Sequence, residues 1–112
     1  MARVIITNSL KEEMLRKFKS RAAGFFQQFK SLEDHPQKGK AMGQFGGIVI
    51  KELKCDTHRF YFITDGHVLK FGSPEELARL LIKFVRLSGK NDQQKVIDEI
   101  KDVLSTLGFD RF

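Results

Sequence analysis

Residues Ile48 to Thr64 read IVIKELKCDTHRFYFIT, and the fold follows from this stretch. Two β-rich runs, Ile48–Cys55 and His58–Thr64, flank Asp56-Thr57, so the pattern predicts an antiparallel hairpin closed by a tight turn. Period-two alternation places His58, Phe60 and Phe62 on one face and Arg59, Tyr61 and Ile63 on the other. The phenylalanine face is the predicted core face, so Arg59 and Tyr61 are predicted on an open face together.

Toward the C-terminus, Asp65-Gly66 predicts a type I′ turn into a further strand, His67–Phe71. Ser73-Pro74-Glu75-Glu76 then predicts a helix start: serine caps, proline takes the first turn and Glu76 closes a capping box. This helix is predicted to end near Leu81, with Ile82–Ser88 extended again. A last helix is predicted over Gln93–Leu107, stopped by Gly108.

Toward the N-terminus, Gln37–Gly47 is rich in Gly and Lys and reads as a loop. Arg3–Thr7 is a β-branched run and a predicted strand. Asn8 and Ser9 supply capping chemistry for a helical region in which Leu10, Met14, Phe18, Ala22, Phe25, Phe29 and Leu32 recur at steps of three or four. One unbroken helix from Ser9 to Asp34 would be roughly 39 Å long at 1.5 Å per residue, too long for a compact domain of this size. A break near Ser20–Gly24, folding the region into a helical hairpin, is one alternative, and the pattern leaves open whether residues 9–34 form one helix or two. The whole is a single α+β domain over residues 1–112, with an N-terminal helix or helical hairpin on a largely antiparallel sheet, helices on one face, and a C-terminal helix.

The chain has 112 residues, a net charge of +6 and a pI of about 9.6. This balance points to anionic partners. With one cysteine, Cys55, no intrachain disulfide forms, and no segment has the length and apolarity of a membrane span. A cytoplasmic protein with no membrane partner is the expectation. His35, His58, His67 and Cys55 show no zinc spacing, and the glycines at 43, 46 and 47 match neither the Walker nor the dinucleotide pattern, so no metal or other cofactor is expected. Cys55 has no evident base, and no serine sits in a nucleophile elbow.

Cations carry the stronger signal. An arginine beside an exposed aromatic can grip a phosphate and stack a base. Lys54 lies just across the turn from Arg59, Lys51 lies on the same strand, and Lys83, Arg86 and Lys90 add charge further on. On a strand, Lys83 and Arg86 would point to opposite faces.

Several strings resemble the RelE/ParE toxin superfamily. HPQKGKAMGQFGGIVIKELK (35–54) is similar to that family's Asn-Pro, Gly-Lys turn, Gly-rich loop and strand ending in Leu-Arg. LKCDTHRFYFI (53–63) is similar to its hairpin, with Lys54 and Arg59 keeping the spacing of the two cations. KFVRLSGKND (83–92) is similar to its final strand and basic loop. The resemblance implies a RelE-like fold and a toxin neutralised by an antitoxin protein, many such toxins being ribosome-associated, metal-independent mRNA endoribonucleases. Carried over, Arg59 takes the strand arginine at the scissile phosphate, Lys54 the supporting cation and Lys90 the basic residue of the last loop; with the reading of the residues themselves, the candidates are Arg59, Lys54 and Tyr61 as catalytic and Lys90, Arg86, Lys83 and Lys51 as RNA-binding. Glu52 and Ile50 depart from it, standing where the nucleases often carry lysines. The alternatives it leaves are a ParE-type gyrase inhibitor or a catalytically silent RNA-binding module.

Overall fold

In the computed structural model, residues 2–45 and 47–87 are described. They form strand β1 (Arg3–Ile6), helix α1 (Asn8–Phe18), helix α2 (Ala22–Lys30), strands β2 (Lys40–Phe45), β3 (Ile48–Cys55), β4 (His58–Thr64) and β5 (Val68–Gly72), and helix α3 (Pro74–Leu87). The five strands make one sheet in the order β1-β5-β4-β3-β2. β2, β3, β4 and β5 pair antiparallel in series, whereas β1 lies parallel to β5. The α+β, mostly antiparallel architecture is thus as the sequence predicts. The predicted Gln93–Leu107 helix and Lys90 lie outside the described residues.

The first face of the sheet carries Val4, Cys55, Phe60, Phe62, Leu69 and Phe71 against Leu10 and Met14 of α1 and Ala22, Phe25 and Phe29 of α2. Phe29 is fully buried and stacks on Phe71 with ring centroids 4.1 Å apart, while meeting Phe60 edge-on at 4.9 Å. Aromatic pairs in these geometries add to the burial of large apolar area. Of the two alternatives for residues 9–34, the structure has two helices. Lys19 has φ of +52°, and a 3-10 turn over Lys19–Arg21 separates α1 from α2.

Four predicted features are corrected. The Gln37–Gly47 segment contains β2, held by its register with β3 (Lys40 opposite Glu52, Phe45 opposite Ile48) and kinked between Ala41 and Gly43. Cross-strand pairing here overrides a composition poor in strand formers. The β4–β5 connection is not type I′, because Asp65 does not have a positive φ; Gly66 does, at +96°. Instead the Asp65 Oδ1 accepts from the backbone N–H of His67 and of Val68, both at 2.9 Å. α1 is capped by Thr7, not Ser9, the Thr7 Oγ1 accepting from Leu10 N at 3.2 Å. Finally, α3 continues through Ile82–Leu87, where an extended segment was predicted.

Helices do not lie on one face alone. Ile5, Ile48, Ile63 and Lys70 alternate away from the phenylalanine face, yet none is more than 4 % exposed. α3 contacts β4, and its Leu77 and Leu80 are buried apart from the first-face cluster. The capping box that starts α3 forms as read: Glu76 N donates to Ser73 Oγ at 3.2 Å, and Ser73 N donates to Glu76 Oε1 at 3.0 Å. The Thr7 hydroxyl donates to the same Glu76 oxygen at 2.7 Å, so the cap of α1 and the cap of α3 are one buried network. No helix among the described residues is long and apolar enough to cross a membrane.

Candidate nucleic-acid interface

The β3–β4 hairpin places the predicted cations. Its two-residue turn puts Asp56 at φ +56°, a conformation aspartate tolerates better than most residues. The register that follows sets Cys55 opposite His58, Lys54 opposite Arg59 and Glu52 opposite Tyr61. Strand alternation puts Lys54, Arg59, Glu52 and Tyr61 on the second face, at the hairpin's turn end. Lys54 and Arg59 are exposed, and the Arg59 side chain retains 60 % of its accessible surface. Like charges directly opposite on an antiparallel pair destabilise it. The fold therefore holds a repulsive pair that a bound anion would relieve.

Two neighbours modify that pair. Arg59 Nε lies 3.8 Å from Glu52 Oε1, a carboxylate whose side chain is only 13 % exposed. Lys40 of β2 is in register with Glu52, so a third cation occupies the same face. Lys40 was missed because its segment reads as a loop; the pairing that makes it a strand is visible only in three dimensions. Tyr61 is half-buried, with glycine (Gly72) as its partner on β5, and its hydroxyl bonds no other described residue.

The remaining predicted residues are placed differently. Lys51 alternates to the first face, opposite Phe62, and its ammonium donates to the Gln37 carbonyl at 3.0 Å. It does not join Lys54 and Arg59. Lys83 and Arg86 lie on helix α3 rather than on a strand, so the predicted alternation between them does not apply.

No family model matches the chain, and neither a curated protein nor a solved structure matches it. The residues themselves must therefore carry the functional argument.

Beside Arg59 a cleft of about 260 Å³ opens between α1 and the start of β4, lined among others by Glu13, Lys17, Phe18, His58, Arg59 and Pro74. β5 pairs with β4 only from Tyr61 onward, so the His58–Phe60 portion of β4 lacks a β5 neighbour there. His58 is not a solvated turn histidine. It is half-buried, its ring edge-on to Phe18 at 4.7 Å and to Phe25 at 5.8 Å. The Lys17 ammonium sits 5.4 Å from the centroid of the Phe18 ring. Among the described residues no group of three or more His, Cys, Asp or Glu side chains comes together as a metal site would require. The Cys55 thiol is buried, and that burial, with the Asp56 charge beside it, pushes its pKa up. This is the opposite of what a nucleophilic thiol needs.

Proposed function

We propose that this chain is the toxin component of a toxin–antitoxin pair, acting in the cytoplasm as a ribosome-associated mRNA endoribonuclease that needs no metal. The observation that carries the reading is the exposed Lys54–Arg59 cross-strand pair beside Tyr61. In this reading Arg59 stabilises the charge that develops on the scissile phosphate. Lys54 and Lys40 hold neighbouring phosphates, and Tyr61 stacks a base. The resemblance of residues 35–63 to RelE-type sequences supports the same assignment, and a small antitoxin protein would cover this face when the toxin is silent.

The test is induced expression of wild type and Arg59→Ala, read by growth and by primer extension on ribosome-bound mRNA. Wild type arrests growth and leaves discrete cleavage ends. Arg59→Ala lowers cleavage by roughly 10²–10³-fold, the loss typical of one preorganised donor at a developing anion. Cleavage that persists in Arg59→Ala, or no cleavage by wild type, overturns the proposal.

One observation favours a second reading. Glu52 lies against Arg59 and subtracts from the positive field where a nuclease gains from adding to it. A gyrase inhibitor of the ParE kind, or a silent RNA-binding relative, would tolerate that carboxylate. Growth arrest without mRNA cleavage selects the former, and salt-sensitive RNA binding without arrest the latter.

A further inference from the structure

The cleft between α1 and β4 holds groups that the hairpin face does not use. Glu13 and Lys17 stand four residues apart on α1, acid first, the favoured order for a helical ion pair. Yet the pair does not close, and the half-buried Glu13 carboxylate bonds no other described residue. The His58 ring nitrogens also bond no described residue, although the ring is fixed between Phe18 and Phe25. Arg59 borders the cleft, but its guanidinium is turned to the second face, against Glu52. The site thus presents one acceptor without a donor among the described residues and two nitrogen-bearing side chains, Lys17 and His58, around one concavity.

Such a set fits a ligand that donates at one end and carries negative charge at the other. Phosphate alone fits poorly, because Glu13 would repel it. A diol or sugar alone leaves Lys17 unanswered. The volume, about 260 Å³, lies at or below the low end of ordinary ligand pockets, roughly 300–1,000 Å³. A single sugar phosphate fits within that volume.

We propose that this cleft takes one ribose phosphate of a single-stranded RNA, with the phosphate on Lys17 and His58 and the 2′-hydroxyl donating to Glu13. Glu13 is then the residue that tells RNA from DNA, since the 2′-hydroxyl is the group the two differ by. The inference rests on the proposed RNA-directed function and deepens it.

The test is the affinity of the full 112-residue chain for a short adenylate oligoribonucleotide and its deoxyribose counterpart, by fluorescence anisotropy at fixed low salt. Wild type prefers the ribose strand by roughly tenfold, the worth of one charge-assisted hydrogen bond. Glu13→Ala removes the preference: ribose affinity falls while deoxyribose affinity holds or rises, because a repelling carboxylate has gone. A misfolded variant would lose both. Lys17→Gln weakens both strands alike, by several-fold, and keeps the preference. Equal affinity of wild type for the two strands, or a preference that survives Glu13→Ala, overturns the assignment. If Lys54→Gln weakens binding while Glu13→Ala and Lys17→Gln change nothing, the cleft fails and the proposed function stands. If the cleft variants behave as stated but expression of wild type neither arrests growth nor cleaves mRNA, the proposed function fails and the cleft stands. If wild type binds neither strand, both fall.

Discussion

Thr7→Val isolates the joint between α1 and α3. Valine matches threonine in shape, so the substitution opens no cavity and acts through the hydroxyl alone. Thr7 is 1 % exposed, and its hydroxyl does two things: it accepts from Leu10 N at 3.2 Å and donates to Glu76 Oε1 at 2.7 Å. Loss of an N-cap costs about 1 kcal/mol. Loss of a hydrogen bond to a buried carboxylate costs about 1.5–3 kcal/mol. Glu76 keeps the Ser73 N–H, so the carboxylate is not stripped bare and the combined cost is about 2–4 kcal/mol. Against a typical domain stability of about 5–15 kcal/mol this is large. Equilibrium urea unfolding, followed by far-ultraviolet circular dichroism, reads it. With a slope of about 1.5 kcal/mol/M, the midpoint moves down by roughly 1.3–2.7 M. A cycle with Glu76→Ala separates the two contributions, because the cap to Leu10 survives in Glu76→Ala while the bond between the side chains does not. The coupling energy should be at least about 1 kcal/mol. A Thr7→Val midpoint within the equivalent of about 0.5 kcal/mol of wild type, or additive singles, would refute the claim that one network holds both helices.

Other outcomes follow from local geometry. Burial pushes the Asp65 carboxyl pKa up, but the N–H groups of Val68 and His67, with the His67 charge, outweigh it and hold the pKa below its usual value. Its contribution to stability is therefore present above the unfolded pKa of about 3.9 and is lost as pH falls through the folded value. Asp65→Asn should lower the melting temperature at neutral pH and flatten its decline on the acid side; equal losses at pH 7 and at strongly acid pH would count against this. The Cys55 thiol should react with a disulfide reagent far more slowly than a free thiol and at the rate of opening, checked by adding denaturant; prompt labelling of native protein contradicts its burial. Gly39 has φ of +99°, and a Cβ there would come within 3.1 Å of the Glu52 carbonyl and 3.2 Å of the Phe62 ring. Gly39→Ala should thus cost about 1–3 kcal/mol in the same urea assay, and a neutral result would mean the segment entering β2 shifts freely.

Much of this fold is legible because local signals and tertiary outcome agree. The Ser73–Glu76 box forms both its bonds, and the β3–β4 alternation sets Lys54 opposite Arg59 as the sequence implies. Where they disagree, pairing or propagation overrides composition. Gly43 and Gln44 are weak strand residues, yet β3 supplies a template for them. Ile82, Phe84 and Val85 favour strands in isolation, but α3 is already nucleated and capped at Ser73, and extension of an existing helix is far easier than starting one. Ile63 looked like a member of an open face because the second face had no assigned cover. The ring partners of His58 were not legible because neither Phe18 nor Phe25 is near it in sequence. Candidate-site residues were found where they share a hairpin and missed where α1 and β2 bring them in from a distance.

The second face of β4 grades from covered to open along a single strand. Ile63 is fully buried, Tyr61 is half-buried and Arg59 is mostly exposed. The boundary is set where β5 stops pairing at Gly72 and the chain turns into α3 at Ser73-Pro74. Had β5 run two residues further, it would have paired with Arg59 and closed the space that Pro74 now borders. The capping box prevents this: Ser73 commits its N–H to Glu76, and Pro74 has none to offer a ladder. The residues that start α3 thus also stop β5, and stopping β5 leaves the turn end of β4 open beside Lys17 and Glu13. The cover of the second face and the opening of the cleft are two consequences of one helix start, which is why a cap far from any phosphate belongs to the account of how this chain would hold one.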